Sequence, residues 1–255
     1  MSLGASDLLA AWEDGTAQHP IQRGLTLLAA AWPELPEPVL SQMSIGQRDG
    51  ALLTLREQLF GPLLAGLALC PHCREQLDLA FQVDDIRAPL PPADAAAGMA
   101  SATQPGFHLA VDGYQVQYRL PTSADLLAVA AAGDAVAAHQ ALLQRCVLAL
   151  QQDGVDATGP ALAGLPDFVA QALAAQMEAA DPQGNVQLAL DCPACGHHWL
   201  QTFDILTYLW REIDDWAQRT LREVHLLASA YGWSEPAILG LSARRRHIYL
   251  EMVLG

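Results

Sequence analysis

Apolar residues recur every three or four positions over much of the chain, and this spacing predicts amphipathic helices. In residues 1–66 the segments RGLTLLAAAW and RDGALLTLREQLFGPLLAGLA have this spacing, with the Pro-rich stretch PELPEP between them as a loop. The spacing returns from about Asp204 in one long apolar stripe, made of Leu206, Leu209, Trp210, Ile213, Trp216, Leu221, Val224 and Leu227. Ser234 and Ser242 are expected to cap two short helices that follow.

Between these helical ends the pattern changes to alternation, which is typical of strands. The residues after CPHC alternate, with Leu77, Leu79, Phe81 and Val83 as the apolar positions. Residues 107–120, FHLAVDGYQVQYRL, contain two alternating runs around Asp112-Gly113, which predicts a β-hairpin. Helices are predicted in PTSADLLAVAAAG with Thr122 or Ser123 as the cap, over 134–152, and in LPDFVAQALAAQMEAADPQG. Residues 87–106, rich in Pro, Ala and Gly, are predicted to form a mobile loop.

Two Cys-x-x-Cys pairs are the main candidate for chemistry: Cys70 with Cys73 in CPHC, and Cys192 with Cys195 in CPAC. A thiol–disulfide oxidoreductase places its reactive cysteine at the start of a helix, where the helix dipole lowers the thiol pKa. Strands are predicted before and after both pairs instead, and this disfavours redox catalysis. Two strand-flanked turns that present paired sulfurs are typical of a zinc ribbon. We therefore predict that these four cysteines bind a structural Zn²⁺.

The two pairs are far apart in the sequence, whereas zinc ribbons usually separate them by roughly 15–20 residues. The loop, hairpin and helices of 87–184 are therefore interpreted as an insertion whose ends the metal joins. Two unrelated reduced pairs are the alternative. His72, His197 and His198 could replace a sulfur or bind another ion, but four thiolates already fill a tetrahedral shell, so we interpret them as neighbours of the site.

The composition limits the classes of function. The 255 residues are 52% apolar, enough for a real core, and the formal net charge of −15 disfavours general nucleic-acid binding. The segment MSLGASDLLAAWEDG lacks the features of a secretory signal, and no apolar run is long enough for membrane insertion. A cytoplasmic protein with reduced cysteines is expected, and the fifth thiol, Cys146, is interpreted as a buried apolar side chain.

No enzyme signature is present: the chain has no GxSxG, GxxxxGK[ST], strand-linked GxGxxG or HExxH. We therefore expect a non-enzymatic binding protein. One interpretation is a zinc-ribbon nucleic-acid-binding or regulatory protein, in which SEPAILGLSARRRHIYLEM forms a helix-turn-helix and Arg244, Arg245 and Arg246 enter a groove. The overall acidity opposes it, and the arginines could equally pair with carboxylates of neighbouring helices.

The other interpretation comes from a resemblance that extends over nearly the whole chain. Four segments carry it: SIGQRDGALLTLREQLFGPLLAGLALCPHC, YRLPTSADLLAVA, RCVLAL and LWREIDDWAQRTLREVHLLASAYGWSEPAILGLSARRRHIYLEMVLG. Together they resemble the baseplate hub assembly chaperones of contractile phage tails and phage-tail-like extracellular contractile injection systems. The resemblance implies a non-enzymatic assembly factor or structural component, with baseplate, hub or spike subunits as partners. Candidate partner-binding residues are Trp210, Trp216, Tyr231, Trp233, Arg244, Arg245 and Arg246, although core packing is the simpler role for the aromatic ones.

Together these patterns predict an α+β protein that is mostly helical. Its parts are N-terminal helices at 1–66, two halves of a discontinuous four-cysteine zinc ribbon at 67–86 and 185–204, the insertion at 87–184 with its β-hairpin and helices, and C-terminal helices at 205–255.

Overall fold

The computed structural model describes residues 3–88, 106–131, 133–156 and 165–255. The chain divides into two compact units: Met1–Glu34 with Ile205–Gly255, called the terminal unit, and Leu35–Asp204, called the central unit. Most of the loop predicted at 87–106 lies outside the described residues.

Helices and short sheets alternate along the described chain, which confirms the prediction of a mixed helix and sheet protein. The helices are α1 Ala5–Gly15, α2 Pro20–Ala31, α3 Glu37–Ser41, α4 Ile45–Phe60, α5 Val83–Ile86, α6 Ser123–Val129, α7 Ala135–Cys146, α8 Asp167–Ala180, α9 Ile205–Tyr231, α10 Glu235–Leu239 and α11 Ala243–Leu254. The strands are β1 Leu63–Leu69, β2 Gln76–Gln82, β3 Phe107–Val111, β4 Tyr114–Tyr118, β5 Val147–Gln152, β6 Val155–Asp156, β7 Gln187–Asp191 and β8 His198–Thr202.

The terminal unit is helical and is built around α9. The buried side chains of α9 recur every three or four residues, which is the predicted spacing: Ile205, Leu209, Ile213, Ala217, Thr220, Val224 and Leu227. Four residues of the predicted stripe are half-buried beside them: Leu206, Trp210, Trp216 and Leu221. Leu227 packs in one core with Leu9 of α1, Ile238 of α10 and Leu250 of α11. Burial of this apolar stripe, and not intrinsic propensity, stabilises so long a helix.

The central unit contains a four-stranded antiparallel sheet in the order β3-β4-β5-β6. Asp112 and Gly113 connect β3 to β4 with φ of 43° and 82°, the two positive values that a type I′ turn needs, so the predicted hairpin is confirmed. Val116 and Tyr118 of this hairpin pack with Leu173 of α8 in a second core. Cys146 is buried there too, as expected for an apolar thiol.

Two predicted helical segments continue as strands. The helix predicted over 134–152 ends at Cys146, because Val147–Gln152 pairs with β4 and this sheet pairing overrides the local helical pattern. The helix predicted to about residue 66 ends at Phe60, since Gly61 has a φ of 85° and Pro62 cannot continue the helix. Leu63–Leu69 is strand β1, so this part of the helical prediction is wrong.

Two separate two-stranded antiparallel sheets, β1-β2 and β7-β8, are called the paired hairpins. In β2 and β7 half-buried and exposed residues alternate, as the period of two requires. In β1 the buried residues are Leu64 and Ala68, and in β8 only Trp199 is half-buried. At the open end of the hairpins, the rings of Phe81 and Phe203 meet edge to face with centroids 5.8 Å apart. This contact joins the end of β2 to the residue that follows β8.

Polar side chains also join the segments that enter and leave the hairpins. The Gln183 amide accepts a hydrogen bond from the Ala88 N–H at 2.7 Å and donates one to the Ile86 carbonyl at 3.3 Å. The Asp181 carboxylate accepts from the Gly46 N–H at 2.8 Å. A Cβ at Gly46 would lie 2.0 Å from an Asp181 oxygen, so this approach requires glycine.

Asp125 is a buried carboxylate that joins several elements of the central unit. It accepts hydrogen bonds from Arg119 at 2.5 and 2.8 Å, from Arg145 at 3.0 Å, and from the Thr122 hydroxyl at 2.8 Å. Burial alone would raise its pKa, but the hydrogen bonds from Arg119 and Thr122 and the charge of Arg119 lower the pKa to about 2. The folded state therefore favours the ionised form of Asp125.

Replacing this carboxylate should cost stability in a pH-dependent way. Because the folded pKa lies below the ordinary value of 3.8, the ionised group stabilises the fold above about pH 4, and this contribution is lost as the pH falls towards 2. Asp125→Asn should lower the free energy of unfolding by about 2 kcal/mol at neutral pH, and the difference from wild type should shrink below about pH 4. Urea unfolding across this range measures it, with the exposed Asp215→Asn as the control. A pH-independent difference would contradict the assignment.

Candidate metal centre

The first cysteine pair forms a tight turn between β1 and β2. The Cys70 N–H donates to the Glu75 carbonyl at 2.9 Å, and the Arg74 N–H donates to the Cys70 carbonyl at 3.0 Å. Arg74 adopts a left-handed φ of 66°, which turns the chain back into β2 after Cys73. Both sulfurs of the pair thus lie at the tip of the hairpin.

The second pair repeats this turn between β7 and β8. The Cys192 N–H donates to the His197 carbonyl at 2.9 Å, and the Gly196 N–H donates to the Cys192 carbonyl at 2.9 Å. Gly196 has a φ of 69° at the position that Arg74 occupies in the first turn. The two turns therefore share one backbone design, and glycine makes the left-handed position easier in the second.

The four sulfurs of the two turns converge. Cys70 Sγ lies 3.7 Å from Cys195 Sγ, and Cys73 Sγ lies 3.5 Å from Cys192 Sγ. All four sulfur atoms lie within 4.8 Å of one another, and none forms a disulfide. The first cysteine of each turn thus lies closest to the second cysteine of the other turn. A local two-fold axis between the turns would produce this pairing. The structure thus brings together the four cysteines that the sequence singles out.

This donor set fits a tetrahedral metal ion. Thiolates about 2.3 Å from a tetrahedral zinc ion are separated by about 3.8 Å, close to the distances across the two turns. Cys70 and Cys192 are buried while Cys73 and Cys195 are exposed, so the cluster lies at the surface with one side covered. The four cysteines could therefore hold a metal ion.

The sulfur pKa values show why a cation suits this cluster. Burial raises the pKa of the Cys70 thiol, but hydrogen bonds from the backbone N–H groups of Cys73 and His72 outweigh it and lower the pKa to about 6. At Cys195 the His197 N–H lowers the pKa, but partial loss of hydration and the three neighbouring sulfurs raise it to about 12. The Cys70 thiol therefore ionises readily while the Cys195 thiol resists ionisation, because adjacent thiolates repel each other. A divalent cation removes that repulsion, and its uptake releases protons.

The histidines beside the cysteines lie around the cluster. The rings of His72 and His197 stack with centroids 5.6 Å apart, which adds a contact between the two turns. The ring of His197 also lies parallel to that of Trp199, with centroids 6.1 Å apart. His198 pairs with the carboxylate of Asp191 across the β7-β8 hairpin.

The candidate partner-binding aromatics lie in the terminal unit. Trp210 is half-buried under the Arg23 guanidinium, which lies 4.7 Å from the ring centroid, and Trp216 is half-buried against the helical core. Tyr231 is 40% exposed and stacks on Trp233 with centroids 4.7 Å apart. Tyr249 packs edge to face on Trp233 at 4.9 Å.

The three arginines of α11 differ in environment. Arg244 and Arg245 are exposed, whereas Arg246 is only 5% exposed. The Arg246 guanidinium donates to Glu223 of α9 at 3.1 Å and to the Leu241 carbonyl at 2.8 Å. Arg246 therefore connects helices within the terminal unit.

Sequence reasoning missed the polar residues that support the site. Asp181 and Gln183 lie in a short segment after α8 whose composition, Asp-Pro-Gln-Gly, is that of an ordinary turn. Their partners, Gly46 and Ala88, are remote in sequence, so no local signal could identify them.

The fold and site define a mixed helix and sheet protein with a four-cysteine cluster that could bind metal. Residues 25–210 match the family model described as T4 bacteriophage base plate protein. The match covers most of the chain, including both cysteine turns, and the chain therefore belongs to this family. No curated protein and no solved structure matches it. The resemblance to a phage baseplate protein is thus confirmed at the level of this family. Within the described residues, no helix has the length and apolar character needed to cross a bilayer.

Opening the cluster should reduce metal content and stability together. Cys70→Ser or Cys192→Ser removes one thiolate from the same shell, so each should lower the bound metal well below one equivalent and the free energy of unfolding by at least about 3 kcal/mol. Elemental analysis by mass spectrometry and thermal unfolding measure the two effects.

Cys146→Ala is the matched control, because Cys146 is buried in the central core and outside the cluster. It should lower stability by about 1 kcal/mol while leaving the metal content unchanged. Unchanged metal content and stability in both cluster variants would rule out a shared site.

Proposed function

We propose that the four cysteines bind a structural Zn²⁺ and that the paired hairpins form a zinc ribbon interrupted by a large insertion. Four thiolates complete a tetrahedral shell and leave no position for water or substrate, so the ion stabilises the fold and does not catalyse a reaction. The convergence of the four sulfurs within 4.8 Å supports this proposal most strongly.

Cobalt substitution tests the ligand set. Refolding the chain with Co²⁺ should give the intense visible absorption of tetrahedral cobalt together with sulfur-to-cobalt charge-transfer bands in the near ultraviolet. Added Zn²⁺ should displace Co²⁺ and abolish both signals, since zinc binds thiolate ligands more tightly than cobalt does. Octahedral cobalt spectra, or identical spectra for Cys192→Ser, would contradict four-thiolate binding.

We further propose that the protein is a non-enzymatic assembly factor or structural component of the baseplate or hub of a phage-tail-like contractile injection system. The family match over residues 25–210 carries this proposal. In the proposed role the protein acts in the cytoplasm, where thiols stay reduced and available to zinc, and binds baseplate, hub or spike subunits. Its net charge of −15 favours partners with basic surfaces.

The proposed partner contact is the C-terminal surface, which consists of Tyr231, Trp233, Tyr249, Arg244 and Arg245. Tyr231 is the exposed ring of the stack and provides an aromatic anchor that the half-buried Trp233 supports, and the two exposed arginines provide charge-assisted hydrogen bonds. The surface does not include Trp210, Trp216 and Arg246, because each of them already has partners within the terminal unit.

Charge reversal on this surface should weaken partner capture. The tagged protein, expressed with its contractile-system genes, should recover baseplate or hub subunits, and Arg244→Glu with Arg245→Glu should reduce the recovery at least tenfold. Arg222→Glu, also exposed in the terminal unit, is the matched control and should leave recovery unchanged. Equal recovery by both variants would exclude the arginines from the contact.

The nucleic-acid interpretation predicts a different result. Arg244 and Arg245 are exposed at the start of α11, directly after the short helix α10, which is the observation that favours it. Salt-sensitive retention on DNA, lost in the double arginine variant, would support this function. The ion pair of Arg246 with Glu223 opposes it, because one of the three cations is already neutralised within the protein.

A further inference from the structure

The paired hairpins border a groove that belongs neither to the cysteine cluster nor to the C-terminal surface. The groove has a volume of about 650 Å³ and is lined along its length by consecutive residues of β2 and β7. Residues 85–88 and the segment around Pro182 line its end, near the Gln183 hydrogen bonds. This volume lies within the range of about 300–1,000 Å³ that is typical of ligand-binding pockets.

The walls of the groove are strand edges. Among the described residues, β2 pairs with β1 alone and β7 pairs with β8 alone, so each strand borders the groove with the side that has no strand neighbour. Edge strands present backbone N–H and C=O groups that can pair with an added strand, and proteins usually protect such edges. An extended peptide is the ligand whose hydrogen-bonding pattern matches a strand edge.

The side chains along the groove alternate in character. Leu79 and Phe81 of β2 and Leu188 and Leu190 of β7 are half-buried on the inner side. On the outer side lie exposed residues, among them Asp78 of β2, Ala80 and Ala189. Because successive side chains of an added strand also point to opposite sides, its apolar residues would meet the inner side and its other residues the outer one.

The acidic residues that line the groove indicate which kind of peptide it would bind. Asp78 and Asp85 line the groove, and its arginine, Arg87, already pairs with Glu57 at 2.9 Å and Asp84 at 3.7 Å. The net charge of −15 disfavours both a second copy of this chain and a nucleic acid as the occupant. A basic peptide would instead be attracted to the groove.

We propose that this groove binds an extended segment of a partner protein in which apolar and basic residues alternate, and that the segment adds a strand to the β2 and β7 edges. Its backbone pairs with the strand edges, its apolar side chains contact Leu79 and Leu188, and a basic side chain contacts Asp78. This is a second partner site, separate from the C-terminal surface, and it requires no particular metal in the cysteine cluster.

A defined peptide tests the proposal with the full-length metal-bound protein. The probe is a fluorescein-labelled peptide of sequence KVKVKVK, with EVEVEVE and KVKPKVK as comparisons, and fluorescence anisotropy gives the dissociation constants. An interface this small should give KVKVKVK a dissociation constant on the order of 10 µM. KVKPKVK, which has the same charge but loses a backbone donor, should bind at least tenfold more weakly, as should EVEVEVE. Equal binding of KVKVKVK and KVKPKVK would overturn strand addition, since charge alone would then explain binding.

Two further measurements locate the site. Asp78→Lys should weaken KVKVKVK binding at least tenfold, whereas Asp215→Lys, an equally charged change at an exposed position of the terminal unit, should change it less than twofold. Hydrogen exchange with saturating KVKVKVK should slow at residues 78–81 and 186–190. Circular dichroism and metal content confirm that Asp78→Lys remains folded. Unchanged exchange at both edges, or equal effects of the two variants, would overturn the proposal. Neither outcome would bear on the baseplate role, which rests on the family match and the C-terminal surface.

Discussion

The close approach of four cysteine sulfurs from two remote turns is the constraint on which the central unit depends. Cys73 and Cys192 lie 119 positions apart in the chain, and their sulfurs lie 3.5 Å apart in space. Bringing together segments so distant opposes folding by about 4–5 kcal/mol of chain entropy. A two-stranded hairpin is only marginally stable by itself, so neither cysteine turn would hold its geometry alone. A metal ion shared between the turns would offset both costs.

The hairpins are held at their open end as well as at their tips. Gln183 hydrogen-bonds the chain after β2 directly before β7 begins, and Phe81 meets Phe203 at the ends of β2 and β8. The contacts at the open end and the convergence of the two cysteine turns at the tips together position the β2 and β7 edges. A groove whose walls are already in place loses less entropy on binding, which is why preorganised edges can bind short segments.

The sequence predicted those features whose cause is local. Asp112-Gly113 determines its turn through two positive φ values, and each cysteine pair determines its own turn, so both were recognisable. The strand at Val147–Gln152 was missed because its partner β4 lies about thirty residues earlier, and helical spacing was the stronger local signal. Asp125 was missed for a similar reason: its buried state depends on Arg119 and Arg145 from different elements. Gly61-Pro62, in contrast, is a helix-ending signal that is visible in the sequence itself, and the predicted helix should end there.

The geometry of the two cysteine turns favours a metal-binding turn over a redox pair for CPHC. In a redox pair, the two cysteines of one Cys-x-x-Cys turn react with each other at the start of a helix. Here Cys70 and Cys73 lie between two strands, and each has a sulfur of the other turn within 3.7 Å. Each cysteine thus has a close sulfur neighbour in the opposite hairpin, and a shared cation could stabilise four thiolates at once. Such an arrangement would hold together two parts of the chain that are distant in sequence, and both parts lie within the residues that match the base plate family.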